Sequence, residues 1–262
     1  MKRLAVIGFP LGHTLSPKLH GAAIQTLGLD LSYDALETPP ERLAAVIGEL
    51  RGPEWLGCNV TVPHKQAVLP FMAEVSEEAL AIGAVNTILS REGKLSGFNT
   101  DAAGFLEDME EQFGPLAGQR VVVLGAGGAA RAVCFALRDK SEVVWVLNRT
   151  PERAEQLARD VGGPVRIGGP SHLLECELVV NCTSAGLHEG DSAVPDEWLA
   201  EGTQLYDLIY NPPETRLMKA ARARGGKAVN GLGMLVRQAA AAFHIWTGME
   251  PPLDVMFEAA RA

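Results

Sequence analysis

No apolar run in this chain reaches the ~20 residues that a membrane-spanning helix needs. The start imitates a secretory leader, with Lys2 and Arg3 ahead of an apolar stretch. That stretch ends by His13 and has no small-residue cleavage site, so it reads as a first β-strand of a cytoplasmic protein. Cysteine is scarce, and Cys58, Cys134, Cys176 and Cys182 show neither CxxC spacing nor a ligand pattern with the six histidines. The expectation is reduced thiols and no metal centre. Neither an HExxH helix nor a GxSxG elbow occurs, which argues against zinc hydrolysis and serine-nucleophile chemistry. Basic residues are outnumbered 23 to 32, for a net charge of −9. A nucleic-acid partner would need a basic face, so it is not expected, whereas small anions remain open to a few well-placed cations. No internal period marks a repeat protein.

What is present is a globular composition, 47% hydrophobic and 21% charged over 262 residues, enough for two modest domains. Short apolar runs at 4–7, 31–36, 58–62, 121–124, 143–147, 178–180 and 205–208 read as strands. Between them, 17–27, 42–50, 129–137 and 152–161 carry helical spacing. This alternation predicts an α/β fold with parallel sheets covered by helices on both faces. Ser16 before Pro17 and Thr150 before Pro151 read as helix N-caps, and Gly28 as a helix stop. Residues 86–89 and 94–98 read as a hairpin turning at Glu92-Gly93. A domain junction is expected near 100–115. The helical C-terminus from Gly231 is free to pack on either half.

The clearest motif is Gly125-Ala126-Gly127-Gly128-Ala129-Ala130, directly after the strand at 121–124 and opening a helix. Gly125 permits the tight turn, Gly127 lets a pyrophosphate approach the backbone, and Ala130 allows close helix–strand packing. The helix N-terminus then holds the anion on free N–H groups. An NAD site places a carboxylate about 20 residues on, for the ribose hydroxyls. This chain instead has Asn148-Arg149-Thr150, with Arg153 four residues after Arg149. Either the two arginines are a solvated pair beside Glu152 and Glu155, or they clamp the 2′-phosphate of NADP.

In the first half, Asn59-Val60-Thr61-Val62-Pro63-His64-Lys65 runs from a strand into an expected helix. Lys65 is either an ordinary surface lysine or a proton-transfer group whose pKa is lowered by the helix dipole and burial. Asp101, after Asn99-Thr100, is either an N-cap or the partner of such a lysine. Most of the seven asparagines stand at strand ends or in candidate site loops, where amides recognise hydroxyls. Thr183-Ser184-Ala185-Gly186 is read as a loop under the cofactor.

Taken together, these segments resemble the shikimate dehydrogenase family. The matching blocks are Gly8-Phe9-Pro10 with His13-Thr14-Leu15-Ser16-Pro17, the Asn59–Lys65 run, Gly83-Ala84-Val85-Asn86-Thr87, Asn99-Thr100-Asp101, the glycine loop, Asn148-Arg149-Thr150, Asn181-Cys182-Thr183-Ser184-Ala185-Gly186, Asp207-Leu208-Ile209-Tyr210-Asn211-Pro212, and Gly231 to Met234 with Gln238. They run collinearly over nearly the whole chain. The resemblance implies a substrate domain (1–101 and 237–262), a Rossmann-like NADP domain (102–236), and a C-terminal helix returning to the first domain. It implies reversible NADPH-dependent reduction of 3-dehydroshikimate to shikimate, in aromatic amino-acid biosynthesis, by a monomer or homodimer. Lys65 would be the acid/base and Asp101 its orienting partner. Thr14, Ser16, Asn59, Thr61, Asn86, Tyr210 and Gln238 would bind substrate. Glu77, Gly125, Ala126, Gly127, Gly128, Ala129, Asn148, Arg149, Thr150, Arg153, Thr183, Leu208, Gly231 and Met234 would serve the cofactor NADP(H). The family usually has Ser where this chain has Thr14, which leaves quinate-type substrates open. Two other readings are a broader quinate/shikimate dehydrogenase and a non-catalytic ligand sensor on the same scaffold. The retained Lys65 and Asp101 argue against the sensor.

Overall fold

The structure, a computed structural model, describes residues 1–12 and 14–262; His13 of the Thr14–Pro17 block lies outside the described residues. In chain order the elements begin β1 (Lys2–Gly8), α1 (Ser16–Thr26), β2 (Leu31–Glu37), α2 (Leu43–Glu49) and β3 (Trp55–Val60). Then come β4 (Glu74–Val75), α3 (Glu77–Ile82), β5 (Thr87–Arg91), β6 (Lys94–Phe98) and α4 (Asp101–Phe113). The second half continues β7 (Arg120–Leu124), α5 (Gly128–Leu137), β8 (Val143–Leu147), α6 (Pro151–Val161), β9 (Val165–Ile167) and β10 (Leu178–Asn181). The chain closes with β11 (Gln204–Asp207), α7 (Arg216–Ala223), β12 (Ala228–Asn230), α8 (Leu232–Thr247) and α9 (Leu253–Arg261).

The chain divides into two compact units. One comprises 1–104 and 235–262, the other 105–234. The first holds a six-stranded sheet in the order β2-β1-β3-β5-β6-β4. Its β1 is apolar on both faces: Leu4 and Val6 join a cluster with α1 and α8 residues, Ala5 and Ile7 one with α2 residues. A strand covered on both sides needs such a continuous run rather than an alternating one. The sheet is mixed, not parallel throughout. The hairpin β5–β6 pairs antiparallel to β3, and its Glu92-Gly93 turn has φ of 52° and 75°, as a two-residue type I′ turn requires.

Glycine matters at one position here. A Cβ on Gly57 of β3 would stand 2.1 Å from the Ile88 carbonyl oxygen and 2.6 Å from Trp246 Nε1. That indole crosses β3 to donate to Ile88 at 2.9 Å, tying α8 to β5. Gly57→Ala is therefore expected to cost about 3 kcal/mol, from overpacking plus the lost bond. Urea unfolding of the variant checks it, and an unchanged midpoint would refute the packing argument.

The second unit holds an all-parallel sheet ordered β12-β11-β10-β7-β8-β9. Val121 and Val123 face one apolar cluster, Val122 and Leu124 the other. Strand order reverses between β7 and β10, the switch point where such sheets bind ligands beyond their carboxyl ends.

Local expectations met several corrections. Ser16 does not cap α1: Leu15 stands at the cap, and the Thr14 hydroxyl takes the Ser16 N–H at 3.3 Å. Gly28 does end the helix (φ 63°), with Gly28 N–H bonded to Gln25 O and Leu29 N–H to Ile24 O, a Schellman closure. Thr150 occupies the cap position of α6 without a side-chain bond; its carbonyl instead accepts from Asn148 Nδ2. The third strand ends at Val60, not at residue 62. The helix expected after it does not form: 62–68 is a run of turns leading to a short 3₁₀ segment, Leu69–Phe71. Pro70 has no N–H to give the Gln66 carbonyl, which accepts from Leu69 instead. The short edge strands β4, β9 and β12 are not visible in the hydropathy pattern. No helix among the described residues is long and apolar enough to cross a membrane.

Candidate active site

Lys65 lies in the turn run after β3, so the helix dipole invoked for it has no helix to act from. Geometry provides something else: Lys65 Nζ stands 2.6 Å from Asp101 Oδ2, with side chains only 13% and 5% exposed. Taking two charges that far out of water is costly unless they meet each other. The Lys65 backbone is fixed as well, its carbonyl accepting from Val85 N–H at 2.8 Å. Asp101 is not an N-cap either. It is the first residue of α4, and its N–H goes to Asn99 Oδ1, leaving the carboxylate for other work. There the helix dipole favours an anion.

Asn86 locks this pair in place. Its Nδ2 donates to Asp101 Oδ1 and Thr100 Oγ1, each at 2.9 Å, and reaches Gln238 Oε1 at 3.3 Å. Its Oδ1 accepts from Thr100 N–H and Thr87 Oγ1, also at 2.9 Å. Asn59 Nδ2 donates to the Asn86 carbonyl and to Thr87 Oγ1, both at 3.2 Å. Thr14 Oγ1 donates to Ser16 Oγ at 3.2 Å. The first unit thus assembles Lys65, Asp101, Asn59, Asn86 and Gln238 into one bonded network. Thr61 lies beside Gly8, where a Cβ would meet its methyl at 2.4 Å, and its hydroxyl joins no part of that network among the described residues. Tyr210, three residues past β11, belongs to the second unit.

The second unit carries the remaining candidates, except Glu77, which is exposed at the first turn of α3 in the first unit. Gly125 has φ 104°, and a Cβ there would press within 3.1 Å of the Thr183 methyl, so both its conformation and its surroundings call for glycine. Gly127 stands at the α5 cap with no side-chain bond. The helix ladder starts with Arg131 N–H on Gly127 O, leaving the N–H groups of Gly128, Ala129 and Ala130 without acceptors among the described residues. Ala130 is fully buried against the sheet. Arg149 and Arg153 are exposed, and neither bonds a carboxylate among the described residues; Glu155 is taken by Arg159. Met234 is buried in the core of the second unit rather than open on a surface, and a Cβ on Gly231 would collide with the Leu208 carbonyl at 2.2 Å.

Several residues of these sites were not singled out from the sequence. Tyr33 donates to Asn59 Oδ1 at 2.7 Å, and Thr87 and Thr100 complete the amide network. In the second unit Asp207, wholly buried, accepts from Asn181 Nδ2 (3.0 Å), Thr215 Oγ1 (2.7 Å) and Ile209 N–H (3.1 Å). Burial raises its carboxyl above the ordinary range, and those donors oppose the rise. Asn181 Oδ1 in turn holds Thr183 by its N–H and hydroxyl. Asp207 therefore anchors the loop against which Gly125 packs. Asp207 and Asn181 both stand in the blocks quoted above, but their bond to each other, across 26 positions, is a tertiary one.

Three family models match the chain in order. Residues 6–88 match the shikimate dehydrogenase substrate binding domain, 107–188 the shikimate/quinate 5-dehydrogenase, and 231–261 the shikimate 5′-dehydrogenase C-terminal domain. A curated NADP(+)-type shikimate dehydrogenase of Thermus thermophilus is 47% identical over 262 residues, covering 100% of this chain and 98% of the relative. A solved Thermus thermophilus shikimate 5-dehydrogenase in complex with NADP(H) and shikimate superposes with a TM-score of 0.91 at 46% identity, over 100% of this chain and 99% of that one. A quinate dehydrogenase from Corynebacterium glutamicum in complex with NAD gives 0.89 at 33% identity, over 98% of each chain. On full-length identity, fold and the ordered set of matched domains, this chain belongs to the shikimate dehydrogenase family.

Proposed function

We propose that this chain catalyses the reversible NADPH-dependent reduction of 3-dehydroshikimate to shikimate, with Lys65 as the group that exchanges the proton at the substrate oxygen. The observation that carries the assignment of roles is the Lys65–Asp101 pair at 2.6 Å, braced by Asn86 on the other carboxylate oxygen. A ligand sensor gains nothing from burying an ammonium against a carboxylate, whereas carbonyl reduction needs a proton held at a defined point. Asp101 and Asn86 keep Nζ from swinging away, so little orientational freedom remains to be lost during reaction. Thr14, Ser16, Asn59, Thr61, Tyr210 and Gln238 offer the hydroxyls and amides that bind a polyhydroxy carboxylate.

The residues of the second unit fit an NADP-type dinucleotide. The open N–H groups at the start of α5 suit a pyrophosphate, and Arg149 and Arg153, lacking carboxylate partners among the described residues, suit a 2′-phosphate where an NAD site would carry an acid. When bound, the dinucleotide supplies or accepts the hydride. The chain's own residues bind it, orient the substrate and move the proton. A cytoplasmic monomer or homodimer is part of the same proposal.

The test is the loss of NADPH absorbance on adding 3-dehydroshikimate, with NADH and quinate arms beside it. Rapid oxidation of NADPH, much weaker with NADH, is the expected result. A folded protein that binds NADPH and oxidises none of it would overturn the assignment. Comparable rates with quinate would favour the broader enzyme that the family's serine-to-Thr14 change leaves open.

A further inference from the structure

Two helices of the second unit open at the carboxyl edge of its parallel sheet, α5 after β7 and α8 after β12, and their first turns are in opposite states. At α5 the N–H groups of Gly128, Ala129 and Ala130 have no acceptors among the described residues. The start of α8 is filled by the protein itself. Leu232 N–H donates to Asn230 Oδ1 at 3.1 Å. A Cβ on Gly233 would stand 1.9 Å from Asp108 Oδ1 and 2.2 Å from its Cγ, so that carboxylate lies directly against the first turn of α8. An anion there meets the positive end of the helix and its orphan N–H groups. Asp108 lies on α4 and is 2% exposed. Its other oxygen accepts from the Tyr206 hydroxyl at 2.5 Å. That wholly buried phenol is itself fixed, its ring standing edge-on to Phe105 at 5.1 Å.

A carboxylate this far out of water needs partners, and Asp108 finds them on β11 and at the start of α8. The segment from Gly231 to Met234 is pinned elsewhere too. A Cβ on Gly231 would reach within 2.2 Å of the Leu208 carbonyl, and Met234 joins the apolar cluster of Phe105 and Tyr206. Sheet order says which end of a dinucleotide this corner serves. Arg149 and Arg153 follow β8 on one side of β7, whereas β10, β11 and β12 lie on the other. With the pyrophosphate at α5 and the 2′-phosphate at the arginines, the nicotinamide end runs toward β11 and β12. We propose that Asp108 is a positioning residue for that end: it caps α8 from a neighbouring helix and so holds Gly231 and Met234 where the dinucleotide needs them. The same carboxylate leaves the α8 corner nothing to offer a phosphate, so the open turn of α5 takes it and the dinucleotide binds in one sense.

This role rests on the dinucleotide reading of the second unit, for which the wild-type protein is the control. If wild type binds neither NADP⁺ nor adenosine 2′,5′-bisphosphate, that reading fails and takes the role of Asp108 with it. The bisphosphate carries the 2′-phosphate but lacks the nicotinamide and its ribose, so it reports on the other end alone. In calorimetric titrations Asp108→Ala is expected to weaken NADP⁺ about tenfold, the lower end of what a charge-assisted contact is worth, and to leave the bisphosphate within about twofold. A domain merely loosened by the substitution would lose both ligands together. Unchanged NADP⁺ binding, or equal losses for the two ligands, therefore overturns the proposal. Should Asp108→Ala fold poorly, Gly233→Ala decides instead, because it keeps Asp108 and Tyr206 and pushes a methyl into the carboxylate. The same split between NADP⁺ and the bisphosphate is expected from it, and equal losses or none overturn the proposal.

Discussion

Lys65→Ala is expected to lower kcat for shikimate oxidation by about 10²–10⁴, the range that a positioned general acid or base contributes. KM for NADP⁺ should be nearly untouched, since the dinucleotide candidates other than Glu77 belong to the second unit. The variant also has a folding cost. Removing the ammonium leaves the Asp101 carboxylate, 5% exposed, with Asn86 as its one remaining side-chain donor among the described residues. Breaking a buried pair in this way costs roughly 3–5 kcal/mol, reduced here because the lysine is 13% exposed and water can reach the gap. The double variant Lys65→Met, Asp101→Asn should recover much of that stability and none of the rate. Initial rates from NADPH absorbance, with urea unfolding alongside, separate the two effects. A Lys65→Ala protein retaining more than a tenth of wild-type kcat would remove Lys65 from the chemistry and leave the ion pair a purely structural feature.

The second large effect concerns cofactor choice. Arg149→Ala is expected to weaken NADP⁺ binding by ten- to a hundredfold, equivalent to about 1.5–3 kcal/mol for a charge-assisted contact to phosphate. NAD⁺ binding should barely change. The structural ground is that Arg149 and Arg153 flank the cap of α6 without carboxylate partners among the described residues, although Glu152 and Glu155 lie in the same turn of sequence. Two cations at a helix N-terminus oppose the macrodipole, an arrangement that makes sense when an anion joins them. Calorimetric titration with both dinucleotides provides the check. Equal losses for NADP⁺ and NAD⁺ would mean that Arg149 shapes the loop rather than reading the 2′-phosphate.

Some of this site was legible from neighbouring residues alone. The glycine loop declares itself because Gly125 needs φ 104° and because strand, turn and helix follow within ten residues. The absent carboxylate after Leu147 is equally local. In the first half, the residue types of Asn59, Lys65, Asn86 and Asp101 are legible, but the local structure that holds two of them is not. Of the two alternatives for Asp101, its N–H and not its carboxylate makes the local bond, and the carboxylate meets Lys65; no helix starts at Lys65, where Pro63 and Pro70 frame a run of turns.

By itself, then, the sequence determined the α/β class, the dinucleotide loop, the strands that bury both faces and the chemical types gathered for a proton-coupled hydride reaction. Those features depend on backbone preferences and periodicities that act over a few residues. Only the tertiary structure decided which groups meet. Lys65 reaches Asp101 across 36 positions, and Tyr33 reaches Asn59 across 26. Asn86 meets Gln238 of α8 across 152. Such pairings follow from strand order and register in a sheet. One residue of slip would turn Tyr33 or Asn59 to the opposite face, and no local pattern in the chain encodes that choice.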